Sequence, residues 1–584
     1  MTAKEIFDIW YRHDGLEPSV RAELERIKDD PSAIEDCFGT ELAFGTAGLR
    51  GVLGAGPGRM NVYTVSRASA GYAAYIASKG ADARRRGVVI AHDNRRMSRE
   101  FALTTAGVFA AHGVHAWLFA SLRPTPELSF AVRYLGAAGG VMITASHNPP
   151  EYNGYKIYNS EGCQCGLDET ARVIDCISEV GDPLDIPSLG IDEAAGLIGI
   201  LDGSIDEEYY RAVESISLRR VDAGDLRVVY SPQHGTGNVP VRRVLADLGY
   251  DVVPVEAQCT PDPDFSATKS PNPESPLAYE AALELADKVN ADIVITTDPD
   301  CDRLGVAARG GDGKLKLMTG NQSGAVLIEY ILSAHRSMGT MPEKPVMVNT
   351  IVTSDLGDRI CESYDVKVEK TLTGFKFIGE RIARHLAAHD ANYVFGYEES
   401  YGCLIGTFVR DKDATQASLM LCEAAAYYKA QGKTLIDVLN GLYARFGFYL
   451  DTQSNFFFRG ADGQKKIAAL TAGLRREHPA EVAGARLVRL EDYLSDETQA
   501  EGFPKSDVLR FVFSDGCWVA VRPSGTEPKC KFYYCVRAAG EAEASEKLAA
   551  LKAAFEPKDR ASRRQAAHIS GECFIKVRHS PFSS

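Results

Sequence analysis

No stretch of this chain strings together the roughly 18 apolar residues that a membrane span requires. Its opening, "MTAKEIFDIWYRHDGLEP", interleaves charges among the apolar positions, so it has no signal-peptide core. The expectation is a soluble, cytoplasmic protein without a membrane partner. Positive charge is also short: 65 Lys and Arg stand against 79 Asp and Glu, a net charge of −14, which speaks against broad binding to nucleic acid or anionic lipid. Cysteine is present, 13 residues in all, but apart from Cys163-Gln-Cys165 it is scattered. Without zinc-ribbon or disulfide spacing, reduced thiols are expected. There is no Walker A loop, so an ATP-dependent kinase is not expected, and no repeat at a fixed period is visible.

What the 584 residues do contain is strand, polar loop and helix in alternation, the pattern of α/β layers. Short β-rich runs at residues 87–91, 114–119, 140–144, 226–231, 251–254, 292–296, 345–348 and 393–395 are separated mostly by amphipathic segments. Breaks near residues 205, 322 and 450 divide the chain into domains at 1–205, 206–322, 323–450 and 451–557. The last of these mixes alternating strands such as "DVLRFVFSDGCWVAVRPSG" with a terminal helix, an antiparallel α+β pattern. From residue 558 on, a basic tail without helical period is expected to be loosely ordered.

Four loops carry chemistry. In "VMITASHNP" an apolar run breaks into polar residues around Ser146 and His147. That is where open α/β sheets place ligands, which makes Ser146 a candidate nucleophile, although a simple turn cap explains the same letters. In "ADIVITTDPDCDRLG" Asp298, Asp300 and Asp302 follow a strand at spacing two. Oxygen ligands with no His or Cys among them suit Mg²⁺, and a bare acidic turn would repel itself. "VFGYEESYGCLIG" sets Glu398 and Ser400 between glycines, and "VRPSGTEPKCKFYY" gathers Arg522, Ser524, Gly525 and Thr526 into what reads as a phosphate cradle.

In order and wording, "TASHNP", "DPDCDR", "EES" and "RPSGTEP" resemble the four active-site loops of the α-D-phosphohexomutase superfamily. The longer stretches "ELAFGTAGLRG", "TASHNPPEYNGYK", "TLTGFKFIGE", "GYEESYG" and "RDKD" look most like the branch that holds phosphoglucomutases, phosphopentomutases and glucose-1,6-bisphosphate synthases. The resemblance runs from about residue 44 to about 540. It implies a four-domain, heart-shaped α/β protein, three related mixed α/β domains followed by an α+β domain. It further implies that Ser146 carries a phosphoryl group and that Asp298, Asp300 and Asp302 bind Mg²⁺ with a phosphoserine oxygen as a further ligand. Glu398 and Ser400 would read the sugar, and Arg522, Ser524, Gly525 and Thr526 would hold phosphate. Arg50, His147, Lys156 and Lys376 would surround the phosphoryl group, with Arg303, Gly374 and Lys531 set against the substrate. His147 and Lys376 both qualify as the proton carrier. Cys301 departs from the small residue usual in the metal loop.

The activity so implied is interconversion of glucose 1-phosphate and glucose 6-phosphate through glucose 1,6-bisphosphate. Phosphomannomutase or phosphopentomutase activity is the alternative on the same fold. From other classes, an aspartyl-nucleophile phosphatase using Asp298 and a non-catalytic sugar-phosphate sensor remain. Oligomeric state stays open.

Overall fold

The computed structural model describes residues 1–45, 48–194, 196–458, 462–524 and 529–557. It forms two compact units, Met1–Glu274 with Ala278–Leu442, and Ser275–Leu277 with Tyr443–Ser584.

The first unit contains three sheets. In the first, β1 (Leu49–Val52), β2 (Val88–His92), β3 (Ala116–Phe119), β4 (Gly139–Ile143), β5 (Tyr152–Asn159) and β6 (Ile198–Leu201) lie in the order β1-β5-β4-β2-β3-β6. The second consists of β7 (Arg227–Ser231), β8 (Asp251–Pro254), β9 (Ile293–Thr297), β10 (Leu304–Arg309) and β11 (Leu315–Met318), ordered β11-β10-β9-β7-β8. The third comprises β12 (Pro345–Thr350), β13 (Lys367–Thr371), β14 (Asn392–Tyr397) and β15 (Cys403–Leu404), ordered β13-β12-β14-β15. Strands β2, β4 and β9 are buried along their whole length, as expected of parallel strands covered on both faces.

One plan is repeated three times. In each sheet two parallel strands flank a first one (β3-β2-β4, β8-β7-β9, β13-β12-β14), and an antiparallel strand (β5, β10, β15) then returns beside the third. The crossover helices match too: Thr125–Tyr134, Glu280–Val289 and Phe375–Ala388 each precede the third strand. The loop joining the third strand to its return strand therefore falls at the same carboxyl edge in all three sheets. These loops contain Ser146, the aspartates 298, 300 and 302, and Glu398 with Ser400.

Three short helices, Ala3–Arg12, Pro18–Ile27 and Pro31–Phe38, precede the first sheet and pack a core of their own around Phe7, Trp10, Leu24 and Phe38. The sequence reading did not anticipate them. In the second unit, six antiparallel strands, β16 (Phe448–Phe457), β17 (Glu481–Val482), β18 (Ala485–Asp492), β19 (Leu509–Phe513), β20 (Trp518–Pro523) and β21 (Lys529–Ala538), are ordered β16-β21-β20-β19-β18-β17. Helices Gly463–Arg476 and Glu541–Phe555 bring Ile467, Leu551 and Phe555 into the core of this sheet, where Phe511, Val521 and Phe532 face them. This is the α+β pattern read from the C-terminal sequence. The tail expected from residue 558, like Gly525 and Thr526, lies outside the described residues.

Candidate active site

The Ser146 loop is built from below. Strands β2 and β4 run parallel with His92 beside Ile143, so the loops leaving their carboxyl ends are neighbours. Arg95, in the loop after β2, is buried and donates to the carbonyls of Ser146, Asn148, Pro149 (2.8 Å) and Tyr152 (3.0 Å). Its charge is met by the equally buried Asp93, 3.4 Å from Nε. This scaffold holds Ser146 at φ 52°, a left-handed conformation that non-glycine residues adopt at a cost. The Ser146 N–H is turned onto Thr144 Oγ1 (2.8 Å), and its hydroxyl donates to Asp298 Oδ2 at 2.7 Å, with His147 Nδ1 at 3.1 Å from the same oxygen. Burial first, then the neighbouring Arg303 and Arg50, hold His147 well below the ordinary imidazole pKa.

The acidic loop is a tight connection between antiparallel strands, Leu304 of β10 pairing with Thr297 of β9. It rests on the loop after β7. A Cβ at Gly235 would stand 2.5 Å from the Pro299 backbone, and Thr236 bonds the Pro299 carbonyl with both N–H and hydroxyl. The three carboxylates offer oxygens within 4.8 Å of one another; Asp298 has both oxygens engaged, Oδ2 by Ser146, and Asp300 and Asp302 have one each. Asp298 Oδ1 accepts the N–H groups of Asp302 and Arg303, both at 3.1 Å. Asp300 Oδ2 accepts hydrogen bonds from Lys156 Nζ and Thr125 Oγ1, both at 2.9 Å, and Asp302 Oδ2 forms an ion pair with Lys412 Nζ at 3.0 Å. The remaining oxygens, Oδ1 of Asp300 and of Asp302, are buried without a hydrogen-bond partner among the described residues, a costly state for a carboxylate oxygen. Burial, then Asp300 and Asp302, raise the Asp298 pKa well above normal. Burial opposes ionisation of Asp300 too, but Lys156 overrides it and keeps that group well below normal. An oxygen-only set with two stranded atoms fits a hard metal cation. Cys301 does not join it; its thiol sits 3.8 Å from Thr415 Oγ1.

In the third loop Glu398 is buried and accepts the Gly374 N–H at 2.8 Å, while Lys412 and Arg303 counter its charge. Ser400 is half-buried, and the adjoining Tyr401 carbonyl takes the Leu304 N–H, joining this loop to the acidic one. Arg50, on β1, donates to Asn148 Oδ1 at 3.3 Å. Lys376 is buried, and burial followed by Glu380 and Cys165 acts on its charge. In the second unit Arg522 on β20 pairs across to Lys531 on β21, and the Ser524 N–H bonds the Lys529 carbonyl at 2.8 Å. Sequence reasoning missed Arg95, Thr125 and the counter-ion role of Lys412. The last was within reach, since "RDKD" had already been singled out.

His92, at the end of β2, gives a pH test of this scaffold. Its Nδ1 bonds the Asp93 carbonyl at 2.8 Å, and burial depresses its pKa. Below pH about 6.5 the unfolded chain binds a proton that the folded chain refuses, so stability is lost as pH falls. His92→Gln should lose less stability than the parent between pH 7.5 and 5.5 in urea unfolding, by up to about 1.4 kcal/mol per pH unit. Equal losses in the two proteins would mean that the imidazole is not held neutral.

A serine hydroxyl from the first sheet meets a buried carboxylate cluster from the second, each on the loop that follows the third strand of one repeated sheet plan. The chain matches the successive phosphoglucomutase/phosphomannomutase domains: α/β/α domain I over residues 41–182, II over 207–311, III over 319–446 and the C-terminal domain over 469–558. It is 39% identical over 539 residues to a phosphoglucomutase of Staphylococcus aureus, covering 90% of this chain and 96% of the relative. A phosphoglucomutase of Staphylococcus epidermidis is 39% identical, with 85% and 91% covered. Among solved structures, a putative phosphomannomutase from Thermus thermophilus superposes with a TM-score of 0.67 at 23% identity, covering 89% of this chain and all of that one. Parafusin from Paramecium, in its open form, superposes with a TM-score of 0.65 at 17% identity, covering 88% and 94%. The chain belongs to the phosphoglucomutase/phosphomannomutase family of the α-D-phosphohexomutase superfamily.

Proposed function

We propose that this chain is a phosphoglucomutase, interconverting glucose 1-phosphate and glucose 6-phosphate through a phosphoserine at Ser146 and a glucose 1,6-bisphosphate intermediate. The observation that carries this is the 2.7 Å contact between Ser146 Oγ and Asp298 Oδ2 across 152 residues of chain, because a serine that merely capped a turn would have no reason to meet an acidic loop from another sheet. The near full-length relatives named phosphoglucomutase favour glucose among the sugars.

On this reading the sugar hydroxyl oxygen bonds to phosphorus as the Ser146 Oγ–P bond breaks; the bisphosphate reorients; and its other phosphate returns to Ser146. The proton that the attacking sugar hydroxyl loses passes to His147, 3.1 Å from Oγ, and from it to the departing serine oxygen, with the reverse transfer when Ser146 is rephosphorylated, a role its position favours over Lys376. Asp298, Asp300 and Asp302 would hold Mg²⁺, with an oxygen on Ser146 as a further ligand; when bound, the ion neutralises charge on the phosphoryl group. Lys156, Lys412, Arg303 and Arg50 add fixed positive charge around it. Glu398, Ser400 and Gly374 hold sugar hydroxyls, and Arg522, Ser524, Gly525, Thr526 and Lys531 hold the phosphate that is not being transferred. The domains divide near residues 205, 322 and 450, and the enzyme works in the cytoplasm on small sugar phosphates.

A coupled assay of the purified chain on glucose, mannose and ribose 1-phosphates, with Mg²⁺ and with or without glucose 1,6-bisphosphate, tests the proposal. Turnover should be highest on glucose 1-phosphate and rise with the bisphosphate. Release of inorganic phosphate instead of glucose 6-phosphate would overturn it.

A further inference from the structure

We infer that Thr125 is a positioning residue for Asp300: it decides which carboxylate oxygen that residue presents to the cation. The inference rests on the reading that the three aspartates hold one. Thr125 is the first residue of the helix Thr125–Tyr134 and is fully buried. Its N–H donates to the Asp300 carbonyl at 3.0 Å and its hydroxyl to Asp300 Oδ2 at 2.9 Å. The helix has no side-chain cap of its own: Pro124 precedes it, and Pro126 offers no N–H. The acidic loop of the second sheet thus satisfies the first N–H of a helix in the first, and Asp300 sits against the positive end of that helix.

The carboxylate consequence follows from the bookkeeping of atoms. Lys156 and Thr125 approach Asp300 Oδ2 together, while Oδ1 stays buried and, among the described residues, without a hydrogen-bond partner. Two donors on one oxygen fix the rotation of the carboxylate and leave the other oxygen as the one without a protein donor. With the hydroxyl gone, Lys156 alone remains, and a flexible ammonium can follow either oxygen. The cation then has to order its own ligand, which weakens binding as the loss of outer-shell partners does elsewhere. A threonine is suited to the task because valine has its shape but not its donor.

The test compares the full-length chain with Thr125→Val and Thr125→Ser, each titrated with Mg²⁺ in a calorimeter after chelation and phosphatase treatment, with thermal midpoints measured in EDTA and in excess Mg²⁺. Thr125→Val should weaken Mg²⁺ by about tenfold or more, whereas Thr125→Ser, which keeps the hydroxyl, should stay within about threefold of the parent. The valine variant should also gain less from Mg²⁺ in its thermal midpoint. Parental affinity in Thr125→Val, equal weakening in both variants, or a fall in midpoint that is the same with and without Mg²⁺ would overturn the inference and leave the metal reading intact. A parent chain that binds no Mg²⁺ would overturn the metal reading, and this inference with it.

Discussion

Ser146→Ala should reduce conversion of glucose 1-phosphate by roughly four orders of magnitude or more, because no other group takes over a covalent step once its acceptor oxygen is gone. Intact-mass measurement should find one phosphate on the parent chain and none on the variant. The fold should hardly notice. Alanine suffers no more than serine at φ 52°, and the loss of one hydrogen bond to Asp298 costs on the order of 1 kcal/mol. The chemistry of the label separates this mechanism from an aspartyl-nucleophile phosphatase: a phosphoserine resists hydroxylamine and an acyl phosphate does not. A Ser146→Ala chain that keeps its turnover and still carries a hydroxylamine-labile phosphate would place the chemistry on an aspartate.

The second large effect is expected at Arg95, through stability as well as activity. Arg95→Met strips donors from the carbonyls of Ser146, Asn148, Pro149 and Tyr152 and leaves Asp93 buried without its counter-charge. Breaking a buried pair from one side costs about 3–5 kcal/mol. At about 2–4 °C per kcal/mol for a domain of this size, the thermal midpoint should fall by roughly 10 °C. Turnover should fall further than occupancy of the folded state explains, because the left-handed Ser146 loses the frame that holds it. Arg95→Lys restores charge opposite Asp93 but not the planar fork, so it should recover part of the stability and less of the activity. A midpoint for Arg95→Met within about 2 °C of the parent would mean that the loop is held by other contacts.

Arg95 also marks where the sequence stops being informative. In "HDNRRMS" two adjacent arginines in a polar loop read as solvent-facing, and the partners that bury one of them are backbone carbonyls, which no letter encodes. Thr125 is hidden in the same way: before a proline it reads as a helix start, and its partner lies 175 residues away. By contrast, β4 and β9 were visible as unbroken apolar runs ending in polar turns, because strands buried on both faces leave that signature. Edge strands leave it less regularly: β8, at the edge of the second sheet, was read at residues 251–254, but two others were not. β13 reads "KVEKT" and β6 reads "IGIL", both partly exposed, and neither stood out as a strand. The threefold repetition of one sheet plan left no trace as a residue repeat, since a topology constrains where apolar runs fall and not which residues compose them. The four loops were legible because their chemistry restricts residue type as well as position.

The distances that the site's contacts bridge along the chain also set a timetable for its making. Ser146 must wait for Asp298, 152 residues later, and at about 5–20 residues per second of synthesis that is an interval of roughly 8–30 s. During it the growing polypeptide exposes the serine loop with no acidic partner, and Lys412 is more distant still. A half-made chain therefore has neither the assembled carboxylate cluster nor a poised hydroxyl. On the proposed function, a phosphate on Ser146 would then be a mark that only chains translated through the third sheet carry.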